Sequence, residues 1–112
     1  MLLREKDKQT LLQIFSTSDM PIEVWAYGSR INGSAHEGSD LDLVIRGAKL
    51  KSLPSTTFSG LSQKIKNSNI PIVVELRDWA LLPESFHKHI LQQYEVLFDN
   101  RKNFYQQEET IG

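Results

Sequence analysis

Residues 22–30, IEVWAYGSR, and residues 39–46, SDLDLVIR, are the two stretches on which the fold of this chain turns. The first is β-branched and aromatic from Ile22 to Tyr27, begins after Pro21 and stops at Gly28, the pattern of a strand that runs into a tight turn. The second alternates. Leu41, Leu43 and Ile45 fall on one face and Asp40, Asp42 and Val44 on the other, so it reads as a strand with one buried face and one acidic face.

Upstream, Leu11, Ile14 and Phe15 recur at helical spacing behind a charged start, which predicts a helix laying one stripe on a sheet. Downstream, Pro54 and Ser55 can open a helix whose apolar face is Phe58, Leu61 and Ile65, although Gly60 in its interior costs roughly 1 kcal/mol relative to alanine. Ile70 to Arg77 predicts a third strand, with Ile72, Val74 and Leu76 on one face and Val73, Glu75 and Arg77 on the other. Pro83 and Glu84 suit the first turn of a helix that carries Phe86, Ile90 and Leu91 inward, and Val96 to Phe98 adds a short edge strand. This alternation predicts an α/β (α+β) domain over residues 1–98, one small mixed sheet covered by helices, followed by a polar tail over 99–112. Sheet order is not readable from periodicity.

Composition narrows the function. A chain of 112 residues has room for a single core, and 39% hydrophobic with 24% charged residues is ordinary for a globular protein. A net charge of -1 lacks the basic excess that attracts nucleic acid, so direct nucleic-acid binding is not expected. The absence of cysteine excludes disulfides, thiol catalysis and thiolate zinc sites. The longest apolar runs are short and the opening MLLREKDKQ is charged, so no membrane span and a cytoplasmic location are expected.

Asp40 and Asp42 carry the chemistry. Carboxylates at i and i+2 of a strand project from one face with Cα atoms about 6.5 to 7 Å apart and can converge on one place. Paired like charges call for a compensating cation, and hard oxygen ligands favour Mg2+ or Mn2+. Glu75, on a strand that could lie about 4.8 Å away, would complete a cradle for two ions some 3.5 to 4 Å apart. That geometry suits phosphoryl transfer. The Gly28-Ser29-Arg30 turn supplies what a triphosphate needs: Gly28 lets the backbone turn and approach closely, Ser29 offers a hydroxyl and an amide, and Arg30 offers a charged fork.

Taken together, Ala26-Tyr27-Gly28-Ser29-Arg30, Gly33 and Ser39-Asp40-Leu41-Asp42-Leu43 resemble the signature of the polymerase-β-type nucleotidyltransferases, and among them the minimal nucleotidyltransferases of bacteria and archaea. The resemblance runs from the first helix to about Phe98 and implies a polymerase-β-type core. It places nucleotide binding on Gly28, Ser29 and Arg30, and catalysis and metal on Asp40, Asp42 and Glu75. Val74-Glu75-Leu76-Arg77-Asp78 resembles the family's third motif, where aspartate is more usual than Glu75. Ile31-Asn32 stands where many relatives have a small residue and a second arginine, which implies a modest triphosphate affinity.

The resemblance further implies transfer of a nucleoside monophosphate from an NTP, ATP first, to a hydroxyl on or presented by a helical HEPN-type partner, in a two-component or toxin–antitoxin pair. The expected docking surfaces are the helix with Phe86 and Ile90 and the tail with Phe104 and Tyr105. The competing function is a non-catalytic nucleotide-binding or antitoxin module that acts by contact alone. A nucleotide-sugar transferase would also use an acidic pair, but it needs a larger domain and gives the glycine-serine turn no role.

Each residue also has a plainer reading. Asp40 and Asp42 could line a solvated strand, Gly28 and Ser29 could make a mere turn, Arg30 could be a surface charge, and Glu75 could pair with Arg77 or Lys66. Trp25, Tyr27 and Trp79 read as core rather than as base-stacking residues, and His36, His87 and His89 lack metal-ligand spacing on one helical face.

Overall fold

Carboxylates at Glu5 and Asp7 complement the dipole at the start of α1 (Glu5–Ser16), and Arg4, just before the helix, clasps Asp7 through hydrogen bonds of 2.9 and 3.1 Å. The structure, a computed structural model, describes residues 3–32 and 40–104. α1 buries Leu11, Ile14 and Phe15, the stripe expected of it. β1 (Ile22–Tyr27) follows and is buried at every position. Gly28 leads into a single helical turn, α2 (Ser29–Asn32), and beyond it come β2 (Leu41–Gly47), α3 (Ser55–Lys66), β3 (Val74–Asp78), α4 (Glu84–Gln92) and β4 (Tyr94–Asp99). Short 3-10 turns at Ala48–Leu50 and Trp79–Leu81 link β2 to α3 and β3 to α4.

The sheet runs β3-β2-β1-β4, with β1 antiparallel to both β2 and β4 and β2 parallel to β3. A parallel pair needs a crossover, which α3 supplies. The mixed sheet covered by helices is the architecture expected from the sequence. Its period of two sorts the side chains into two cores. Ile22, Val24, Ala26, Leu41, Leu43 and Ile45 pack under α1 and α3 with Leu11, Phe15, Leu61 and Ile65. On the opposite face Trp25, Tyr27 and Val44 pack with Trp79, Ile90 and Phe86. Trp25, Tyr27 and Trp79 are thus core residues, as expected.

The face that begins with Asp42 is therefore acidic only at one end. At the other, Glu23 accepts from the Trp25 indole at 2.9 Å and from Arg46 at 3.0 Å, and the Arg46 guanidinium lies 4.0 Å over Trp25. Asp78, also buried, accepts from the amides of Leu53 and Ala80, tying the end of β3 to the segment before α3.

Some boundaries differ from the reading of the sequence. β3 begins at Val74 rather than Ile70, because Pro71 has no N–H to donate and pairing starts where the Leu41 amide meets the Val73 carbonyl at 2.9 Å. β4 is longer than Val96–Phe98, and the packed body continues to Asn100. The Asn100 side chain accepts from the Ile22 amide at 2.7 Å and donates to the Met20 carbonyl at 3.2 Å, so it pins the end of β4 to the start of β1. Phe86 and Ile90 pack inward in the second core, as expected, Ile90 being fully buried, whereas Leu91, also expected to point inward, is exposed. The exposed apolar side chains nearby are Leu91, Tyr94 and Val96, while Phe104 is exposed and Tyr105 lies outside the described residues.

Candidate active site

Strand register assembles the site. Tyr27 of β1 is level with Asp42 of β2, which is level with Glu75 of β3, so three polar side chains line up across neighbouring strands on one face. Gly28 closes this row. Its φ of +83° is backbone that side-chain-bearing residues rarely adopt, and a Cβ there would stand 2.5 Å from Asp42 Oδ2. Glycine is thus required twice, by its own conformation and by the carboxylate beside it. Ser29 opens α2 directly after, and the Ile31 amide returns to the Gly28 carbonyl at 3.0 Å.

Asp42 is half-buried, and burial pushes its carboxyl above the usual range. The neighbouring Glu75 pushes it further up and Asp40 adds to this, while Arg77 pulls the other way. Asp40 itself is exposed, just before β2. Burial likewise drives the Tyr27 phenol up to about 12, and its hydroxyl finds no hydrogen-bond partner among the described residues.

Glu75 is held by Arg77, two residues along the same strand face, at 2.9 Å. The Arg77 guanidinium lies 5.8 Å over the Phe86 ring, which stands edge-on to Tyr27 with centroids 5.9 Å apart. The ion-pair reading of Glu75 is what the structure displays. Among the described residues no three acidic or histidine side chains already form a cage for an ion. The donor set nevertheless fits a divalent cation. It consists of hard carboxylate oxygens, and Asp42 is crowded by two further carboxylates against a single arginine, so the group lacks positive charge.

Arg30 is placed elsewhere. It is 8% exposed and lines, with Leu3, Arg4, Asp7, Pro71 and Ile72, a cavity of about 210 Å³ on the α1 side of the turn. There its charge joins that of Arg4 and Lys6 in holding the Asp7 carboxyl low, Arg4 contributing most through its hydrogen bonds. Neither Asp42 nor Tyr27 feels the charge of Arg30, whereas both feel that of Arg77. His87 packs flat on Trp79, 3.9 Å between centroids, with Nε2 2.6 Å from the Trp79 carbonyl, so it is structural; His36 lies outside the described residues. Arg77, read from the sequence only as a partner for Glu75, and Tyr27, read only as core, are the residues whose place beside Asp42 the sequence did not show. The spacing of Glu75 and Arg77 was a visible signal, whereas their level with Asp42 was not.

The sequence also matches the family model described as polymerase beta, nucleotidyltransferase, over residues 9–103. The chain belongs to the polymerase beta nucleotidyltransferase family. This nucleotidyltransferase is 37% identical over 79 residues to a Haemophilus influenzae protein described as "probable protein adenylyltransferase MntA", covering 70% of this chain and 68% of that protein. Its fold is similar to that of a toxin–antitoxin crystallised with AMP-PNP, with a TM-score of 0.65 and 22% identity over 90% of this chain and 77% of the other. It is similar too to a structure of a tri-AMPylated Shewanella oneidensis HEPN toxin in complex with MNT antitoxin, with a TM-score of 0.62 and 14% identity over 93% of this chain and 79% of the other. The nucleotidyltransferase is accordingly MntA-like, and the likeness to minimal nucleotidyltransferases expected from the Gly-Ser turn and the paired aspartates holds. No helix among its described residues is long and apolar enough to cross a membrane.

Proposed function

We propose that this nucleotidyltransferase transfers the AMP moiety of ATP to a hydroxyl on a helical, HEPN-type protein partner, as the antitoxin half of a cytoplasmic two-component pair. The observation that carries this reading is the level row Tyr27–Asp42–Glu75, closed by a glycine that lies against the Asp42 carboxylate. The choice of ATP and of the partner is supported by the MntA-like relative and by the fold shared with a toxin–antitoxin bound to AMP-PNP.

In this reading the triphosphate lies at the Gly28-Ser29 turn, where the missing Cβ leaves room for phosphate oxygens to approach the backbone. Asp40 and Asp42, backed by Glu75, would hold Mg2+ or Mn2+. The bound cation supplies neutralisation of phosphate charge and a lower pKa for the attacking hydroxyl. The acceptor oxygen attacks the α-phosphorus, its bond to the oxygen bridging to the β-phosphate breaks, and pyrophosphate leaves. The hydroxyl proton passes to the carboxylate group and on to solvent. Tyr27, Phe86 and Val44 keep the floor of the row dry, so the charges act in a less screened setting.

A second reading has an observation of its own. Glu75 is tied to an arginine, Arg77, as suits a module that binds its partner and does not turn over. Incubation of the chain and the product of its neighbouring reading frame with α-labelled NTPs and Mg2+ or Mn2+ separates the two. Label from ATP on the partner, lost with Asp42→Asn, is the result expected. Neutralisation of the partner by wild type and Asp42→Asn alike, with no label transferred, would establish the non-catalytic reading instead.

A further inference from the structure

Arg77, level with Val44, is a cation one pair along the face from Asp42 and Glu75, and it acts on both carboxylates. It faces the same way as Glu75 by strand periodicity and holds that carboxylate at 2.9 Å. Behind it, Phe86 of α4 supports the guanidinium at 5.8 Å. We propose that Arg77 is a positioning residue, a resident counter-cation that occupies the Glu75 carboxylate in the metal-free protein and yields it when a divalent cation arrives. Competition between guanidinium and metal for Glu75 then sets the affinity of the site. This rests on the reading of Asp40, Asp42 and Glu75 as metal ligands.

The geometry suits exchange rather than permanence. The two side chains are 38% and 41% exposed, and an ion pair so open to water is worth about a fivefold factor at most, which a dication with several oxygen ligands outcompetes. Arg46, on the same sheet face, shows the other kind of arginine. It is 18% exposed, paired with the buried Glu23, and stacked 4.0 Å over Trp25 and 4.7 Å from Trp79, so it is fixed in place. Arg77 lies over one ring, Phe86, at the longer distance of 5.8 Å and is about twice as exposed, so it is held less firmly than Arg46. The pairing explains how carboxylates from adjacent strands tolerate each other before metal binds.

The test is nucleotide-free Mn2+ titration of the full chain by calorimetry, in wild type, Arg77→Met, Arg77→Lys, Glu75→Gln and the Glu75→Gln/Arg77→Met double variant. Methionine keeps an unbranched stem over Phe86 and removes the charge; should it fail to fold, Arg77→Gln takes its place. Arg77→Met is expected to bind Mn2+ roughly two- to fivefold more tightly, the gain shrinking as salt rises. Arg77→Lys stays near wild type, and the gain disappears in the Glu75→Gln background. Unchanged or weaker binding by Arg77→Met overturns the proposal. So does a gain that survives undiminished without Glu75, since the arginine would then act on the site as a whole. Binding of Mn2+ by none of the variants overturns the metal-centre reading and the proposal with it, whereas equal binding by wild type and Arg77→Met overturns the proposal alone.

Discussion

At Asp42 the demands of stability and of chemistry oppose each other. Burial, Glu75 and Asp40 all disfavour its ionised form in the fold, so its folded pKa stands above the unfolded one. For a carboxyl shifted in that direction the folded protein binds the proton more readily. The charge therefore costs stability above the folded pKa, and the cost fades as pH falls to the unfolded value. Asp42→Asn should then stabilise the metal-free protein by roughly a few tenths of a kcal/mol at neutral pH, a difference that closes below about pH 4 in a melting series. The same variant should lower AMP transfer by roughly a hundredfold or more. Wild-type transfer by it would remove Asp42 from the site. Gly28→Ala tests the other side of the contact. Its φ of +83° and the 2.5 Å approach to Asp42 Oδ2 predict a loss of about 2 kcal/mol in chemical denaturation. Restoration of full stability by Gly28→Ala/Asp42→Ala would show that the clash alone matters and the φ does not. The pair Asp40 and Asp42 was legible because a period of two is local. The nearness of Gly28 to Asp42, and the turning of Arg30 toward Asp7, depend on tertiary contacts that no window of sequence contains.

Between single residues and the whole stand the elements, and here the sequence was most legible where an apolar stripe met a covering surface. α1 and α3 are such cases, and so are β1 and β2. α4 was recognised as a helix with Phe86 and Ile90 inward, but Leu91, read as part of the same stripe, is exposed, since periodicity marks a face without fixing where it ends. In α3 the local rule and the structure point the same way. Gly60 lies in the helix, and a Cβ there meets nothing within 4 Å. Gly60→Ala should stabilise the protein by about 0.5–1 kcal/mol, read as a raised denaturation midpoint at constant m. A lower midpoint would mean that something in the native protein packs on that glycine. β4 depends instead on a side chain that periodicity could not nominate. Asn100 serves the Ile22 amide and the Met20 carbonyl from a buried position, and Asn100→Ala should cost about 1–3 kcal/mol by leaving a buried donor unmet.

At the scale of the molecule, the row Tyr27–Asp42–Glu75 lies where three strands meet and the chain leaves β1 for α2, so a ligand there touches several elements at once. Whatever binds only the folded protein stabilises it by mass action, about 2.7 kcal/mol at a hundredfold excess over Kd. For a domain of this size that is a rise in Tm on the order of 10 °C. Mg2+ with a non-hydrolysable ATP analogue should produce such a shift in wild type, smaller for either alone. The joint effect exceeds the sum because each ligand screens the charge that opposes the other: the carboxylates repel the triphosphate until a cation lies between them. Asp42→Asn should lose most of the joint shift and Glu75→Gln part of it, while Gly60→Ala, remote from the row, should keep it all. A shift that Asp42→Asn retains in full would place the nucleotide away from the carboxylates. No shift at millimolar concentrations of both ligands would leave the fold without the function read from it.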